Sequence, residues 1–340
     1  MDLALSARLI DINPISLGKV ALHLSVAQAA LHQPPRPFAK NPDMWQRIVA
    51  YGIIFVKVPA GSLEEGNMRL SRAGACVVVA GVYLVLRFAM PMAGPGLLNP
   101  RLAVFLSVAV IMLAQLALVV GIAGLRIGPR STALLALLSA VLLAGILILL
   151  AKIKPIASAA VFDNLTVFQD LFLMLFAAFL GYTVSFIVRE PSLLLPVAVF
   201  AGLVDYWSVS WGPLSHVIEN KPSVVAAASV HMPTPVPGVP GTMIGMGDFV
   251  FLALFFAVLF RFGMNVRGAF WLGYILLTVS MLVVLKLEGA LPALLPMGVA
   301  VIATNMRYLK LKRDELLATL YVGAVLLVLL VASRVFLFGH

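Results

Sequence analysis

Ile244-Gly245-Met246-Gly247-Asp248-Phe249-Val250-Phe251-Leu252-Ala253-Leu254-Phe255-Phe256 opens on two glycines and an aspartate, then continues without another polar residue. A carboxylate at the head of such a run lacks the water that would stabilise its charge. An aspartate buried in a membrane is therefore a functional hypothesis by default. The glycines one and three positions before Asp248 remove side chains and let another backbone or a ligand come close. Small-residue pairs are ordinary in membrane helix packing, so the stretch gains weight only beside a second carboxylate at the same depth.

Composition sets the class of protein. Of 340 residues, 62% are hydrophobic and 11% charged, against about 25% charged in a soluble domain. The chain reads as an all-α polytopic membrane protein. A formal charge of +10 would suggest nucleic acid in a soluble protein; here positive-inside loop bias explains it, and no nucleic-acid partner is implied. Cys76 is the single cysteine, so no internal disulfide forms. Met1 to Arg8 lacks the basic start and apolar core of a cleavable signal, so the first membrane span is expected to direct insertion.

Residues 1–70 are mixed in character and read as a cytoplasmic or interfacial segment. Leu17 to Leu31 suits an amphipathic helix, ended by the prolines at 34, 35 and 37. Trp45 to Val58 suits a helix lying on the membrane surface. Apolar runs then fall at about 72–91, 102–124, 132–152, 167–188, 191–212, 243–262, 269–287, 290–305 and 316–338, about nine transmembrane helices. They divide into N-terminal helices over 71–190, a core over 191–305 containing the connection 213–242, and an additional C-terminal helix within 306–340. With the N-terminus inside, most lysines and arginines lie on the cytoplasmic side, including the cluster Arg307, Lys310, Lys312 and Arg313.

The second carboxylate is Asp205, in the fifth run. Both aspartate helices meet the connection 213–242, with Asp205 about seven residues before that edge and Asp248 about five after it. At 1.5 Å per residue both lie roughly 8–10 Å below the outer surface. No Lys, Arg or His lies nearby in these helices, so the pair is left to share a proton and titrate as a unit. That is aspartic-protease chemistry: the ionised carboxylate takes a proton from water while the protonated one polarises the scissile carbonyl. The plainer alternative is two unrelated residues, each satisfied by a hydroxyl or a backbone group. The eighth run opens Leu291-Pro292-Ala293-Leu294-Leu295-Pro296, where the prolines are expected to disrupt the first turns and Ala293 to allow close approach. Asp163 and Asp170 read as interfacial, and Gly181, Gly202 and Gly273 as helix-packing positions.

Together, Asp205, Gly245-Met246-Gly247-Asp248 and Pro292-Ala293-Leu294 resemble the presenilin and signal peptide peptidase family of intramembrane aspartyl proteases, in its prokaryotic form. The family carries one aspartate after a tyrosine, a second in Gly-x-Gly-Asp, and Pro-Ala-Leu near both. Val204 stands where the family has tyrosine, with Tyr206 on the other side. Four spans precede the Asp205 helix where the family typically has five, and the 316–338 run follows where such chains usually end.

The resemblance, covering roughly 165–305, implies a presenilin-like bundle with Asp205 and Asp248 catalytic. Gly245, Gly247, Pro292, Ala293, Leu294 and Tyr206 would shape the site. It implies an intramembrane aspartyl endopeptidase cutting transmembrane helices or remnant signal peptides in a lipid bilayer, with no cofactor. The location expected is a prokaryotic inner membrane with the N-terminus cytoplasmic. The connection 213–242 suits either a gate that aligns an unwound substrate by strand addition or a plain linker. Leu214 to Ser229 reads as a short helix and His231 to Gly241 as extended chain. His216 and His231 are too isolated to suggest a metal site. Two rivals stand beside the protease: a proton-coupled transporter using the two aspartates as its relay, and a proteolytically dead relative that binds membrane helices.

Overall fold

The computed structural model describes residues 65–90, 100–153, 159–211, 222–233, 243–287, 292–309 and 313–338. The helices expected at Leu17 to Leu31 and Trp45 to Val58 lie outside the described residues, as do His216 and residues 212–221 and 234–242 of the connection.

The described chain is almost wholly helical: α1 (Glu65–Ala89), α2 (Pro100–Ala123), α3 (Pro129–Ile153), α4 (Ala159–Ser185) and α5 (Leu194–Trp211) come first. A short α6 (Pro222–Ala227) leads into strand β1 (Ser229–His231), and β2 (Met243–Gly245) runs directly into α7 (Met246–Arg261). α8 (Val266–Leu287), α9 (Leu294–Asn305) and α10 (Arg313–Phe338) complete it.

Among the described residues, six helices (α1 to α4, α8, and α5 with the turn before it) are long and apolar enough to cross a membrane. Burial is arranged for lipid. On α3 the inward stripe is Thr132, Ala136, Ser139, Leu143 and Leu150, while Leu134 and Leu137 on the outside are 66% and 62% exposed. Small residues let α3 pack closely on α4. The buried hydroxyls of Thr132 and Ser139 donate to carbonyls of their own helix, so neither is stranded in hydrocarbon. This is a membrane protein. The described part of α10 exposes apolar residues such as Leu320, Val322, Val325 and Val328, and the helix leans on α5, where Gly323 lies against Phe200.

The Asp248 helix, α7, is the central one. It packs on α2, α4, α8 and α9, and every residue from Leu252 to Leu259 is buried. At its far end Gly263 takes φ +61, the left-handed cap that lets Met264 N–H reach back to Leu259 O at 2.9 Å. Asn265 then caps α8 through Gly268 N–H at 3.0 Å, so two helices join in a minimal turn. Arg261 donates to the carbonyls of Ser185 and Val188 at the end of α4. Asn305 accepts from Asn265 N–H at 2.7 Å, fastening α9 to α8.

Several boundaries depart from expectation. α4 starts at Ala159, eight residues before the expected 167, and its added turns carry the exposed Asp163 and Asn164, whose polarity kept them out of the apolar run. Of the connection, only Pro222–Ala227 is described as helix, and residues 229–231 form a strand rather than free extended chain. α7 begins at Met246 rather than 243, since 243–245 pair with β1. It has 16 residues and α9 has 12, giving roughly 24 and 18 Å against a hydrocarbon core of about 30 Å. Pro296 does not break α9. It lies in the first turn, where its missing N–H has no intrahelical partner to lose.

Candidate functional site

Asp248 is the third residue of α7, with Gly245 at the N-cap. From there a carboxylate reaches back to the N-cap N–H, the reciprocal half of a capping box. The Asp248 side chain does so, bonding the Gly245 backbone N–H. The site is thus shallower along its helix than the sequence suggests, with β2 above it instead of helix.

Asp205, on α5, is bound at a different helix start. Leu294 N–H donates to its Oδ2 at 2.9 Å. Leu294 is the first residue of α9, after Ala293 at the N-cap, so this N–H has no carbonyl within its own helix. Each carboxylate therefore sits at the positive end of a helix. Asp205 also lies close enough to act on Asp248 through its charge. The agent that joins their helices is α9, which packs on both α5 and α7.

Both carboxylates are half-buried. Among the described residues the ion pairs are those of Asp170, with none at Asp205 or Asp248. Two carboxyl groups, each tied to one backbone N–H, form an arrangement suited to sharing a proton and orienting a water. No group of three or more His, Cys, Asp or Glu is gathered for a metal among the described residues.

The other expected site residues divide. Of Pro292, Ala293 and Leu294, it is Leu294 that reaches Asp205, through its N–H, with Ala293 before it at the N-cap. A Cβ built on Gly245 would face Asp248 Oδ2 at 3.6 Å, and one on Gly247 would meet nothing within 4 Å. Neither glycine is required by the chain's own packing, so the space at Gly247 stands open. Tyr206 is 46% exposed, turned about 100° from Asp205 along α5. Val204, at the family's tyrosine position, is exposed too.

Gly181 and Gly202 do mark close packing. A Cβ at Gly202 would lie 2.9 Å from Leu295 Cδ2, a flexible end next to the Leu294 contact. Gly273 faces Ala300 at ordinary distance, 3.7 Å.

The sequence reading missed one polar cluster entirely. Asp170 is not interfacial: it is 0% exposed. Its Oδ2 pairs with Arg87, and its Oδ1 takes the backbone N–H of His231 at 3.2 Å and meets His231 Nδ1 at 3.0 Å. The available signal was a charge inside each of two apolar spans, since intramembrane charges pair.

Fold and site together define a mostly helical membrane protein with two carboxylates, each bound at a helix start, that act on one another through charge. No family model, curated protein or solved structure matches this chain.

Proposed function

We propose that this chain is an intramembrane aspartyl endopeptidase in which Asp205 and Asp248 act as paired general acid and base. The observation that carries the reading is the Leu294 N–H bond to Asp205. It ties the Pro-Ala-Leu segment to one carboxylate while the other interacts with it. The three shorter described apolar stretches, in α7, α9 and α10, complete a presenilin-like bundle of nine membrane helices on this reading. A substrate helix keeps its carbonyls in internal hydrogen bonds and must unwind before water reaches one. The strand β2, next to Asp248, supports such a reading by offering backbone groups to an unwound segment.

On the same reading the protein lies in a prokaryotic inner membrane with its N-terminus cytoplasmic, and the Asp205 helix runs outward. It therefore favours type II segments, whose N-terminus is cytoplasmic, remnant signal peptides among them. Purified protein in bilayers, given type I and type II single-span substrates, is expected to cut the latter and to be blocked by a transition-state-mimicking aspartyl protease inhibitor. Proton flux without cleavage in the same vesicles would favour the transporter instead. Preferential cutting of type I segments would reverse the orientation.

Gly247 supplies a sharper test. Ala fits the backbone there and has the better helix propensity, so Gly247→Ala is expected to leave Tm unchanged. The added methyl group occupies open space beside Asp248, and kcat/KM is expected to fall about 10-fold or more as substrate backbone is held off. Wild-type turnover in this variant would rule out close approach at Gly247.

A further inference from the structure

Resting on the protease reading, we propose that Asp170 is a positioning residue for the carboxylate pair, clamping the β1–β2 ribbon that leads into the Asp248 helix. A ribbon of three residue pairs is too small to hold its own shape. Something outside it must fix it. Two adjacent residues of α4 do so: Gln169 Nε2 donates to Ala227 O at 3.4 Å, and Asp170 holds both the backbone and the ring of His231. The other oxygen of Asp170 is engaged by Arg87 of α1. Tyr83 and Gln115, both buried, lie on the Arg87 side. One buried carboxylate thus joins α1, α4 and β1.

The connection from β1 to Asp248 is short. Ser229 pairs with Gly245, the residue whose N–H the Asp248 carboxylate bonds. Met246 N–H donates to Ala228 O at 3.0 Å, tying the first residue of α7 to the residue before β1. Slippage of β1 along α4 would therefore shift the first turn of α7, and Asp248 with it. Asp205 is held separately, through α9, so the slip would change the spacing of the pair.

The test uses the full chain in nanodiscs, wild type against His231→Leu, His231→Asn and Asp170→Asn. An asparagine amide places an N–H donor near the position of the ring Nδ1, and leucine places none. Amide hydrogen exchange over 229–231 and 243–246 reads the clamp without requiring activity. Kinetics and cleavage-site mapping on a single-span substrate read its consequence. His231→Leu is expected to speed exchange in the ribbon about 10-fold or more, with α2 and α3 unchanged. Its kcat is expected to fall about 10- to 100-fold, with KM nearly unchanged and cuts spread to neighbouring bonds. His231→Asn should restore most of both. Wild-type exchange and a wild-type cleavage pattern in His231→Leu overturn the proposal, as does failure of His231→Asn to improve on leucine. Should Asp170→Asn fail to fold, the two His231 variants still decide, because that side chain is 30% exposed. A wild-type chain that cuts nothing overturns the protease reading, while the exchange arm alone then decides the clamp.

Discussion

Asp205→Asn and Asp248→Asn are each expected to lower cleavage of a single-span substrate by at least about 10³-fold, with the protein still folded and inserted. The amide is the informative replacement. Asparagine keeps an oxygen to accept the Leu294 N–H at position 205 and the Gly245 N–H at position 248, so both helix starts stay capped. It cannot pass the proton that general acid–base chemistry requires. Alanine at either position should be equally inactive and slightly less stable, by about 1 kcal/mol, the typical net worth of one hydrogen bond. The double variant is expected to be no worse than either single one, since groups acting as a unit lose nearly everything with the first removal. Turnover measured with a purified variant free of contaminating protease is the check. Appreciable cutting by either amide variant would remove this pair from the chemistry.

The second large effect is expected at Gly181, where α4 crosses α7. A Cβ there would stand 2.0 Å from the carbonyl oxygen of Val250 and 3.0 Å from Ala253 Cβ. The obstacle is backbone, not a side-chain end that can turn aside. Overpacking a tight core costs typically 1–3 kcal/mol and occasionally more. Gly181→Ala is expected at the upper end, about 3 kcal/mol, and Gly181→Leu should yield no folded protein. Val250 lies two residues beyond Asp248, so the surviving fraction of the alanine variant should also turn over poorly. Gly145→Ala is the control: a Cβ at that position meets nothing within 4 Å, and alanine favours the helix. Thermal unfolding in detergent separates the two. Equal stability of both variants would mean that the α4–α7 crossing is looser than the structure shows.

Much of this molecule was legible from its residues. Long apolar runs must form helices in a membrane because each buried backbone group needs a partner within its own segment. That argument located the cores of α1 to α5 and α7 to α10, and small residues within those runs marked Gly181 and Gly202 as packing positions. Asp205 and Asp248 stood out because a carboxylate amid leucine and phenylalanine is costly wherever it occurs. Pro292-Ala293-Leu294 was singled out as a neighbour of the pair, and Leu294 N–H does bond Asp205.

What escaped the sequence was settled by partners far along the chain. Asp170 looked like an edge residue because its own surroundings hold Asp163, Asn164 and Gln169. Arg87 and His231, 83 and 61 residues away, turn it into a buried anchor. β1 and β2 are three residues each and lie on either side of a proline-rich stretch, too short for any periodicity to announce them. Pro296 seemed a helix breaker until the start of α9 placed it in the one turn that tolerates it. Sequence alone determined which segments are apolar enough to leave water and which charged groups go with them. Only the tertiary structure decided which of those groups meet, because a charge in a low-dielectric interior is stabilised by whichever partner the packing of helices brings to it.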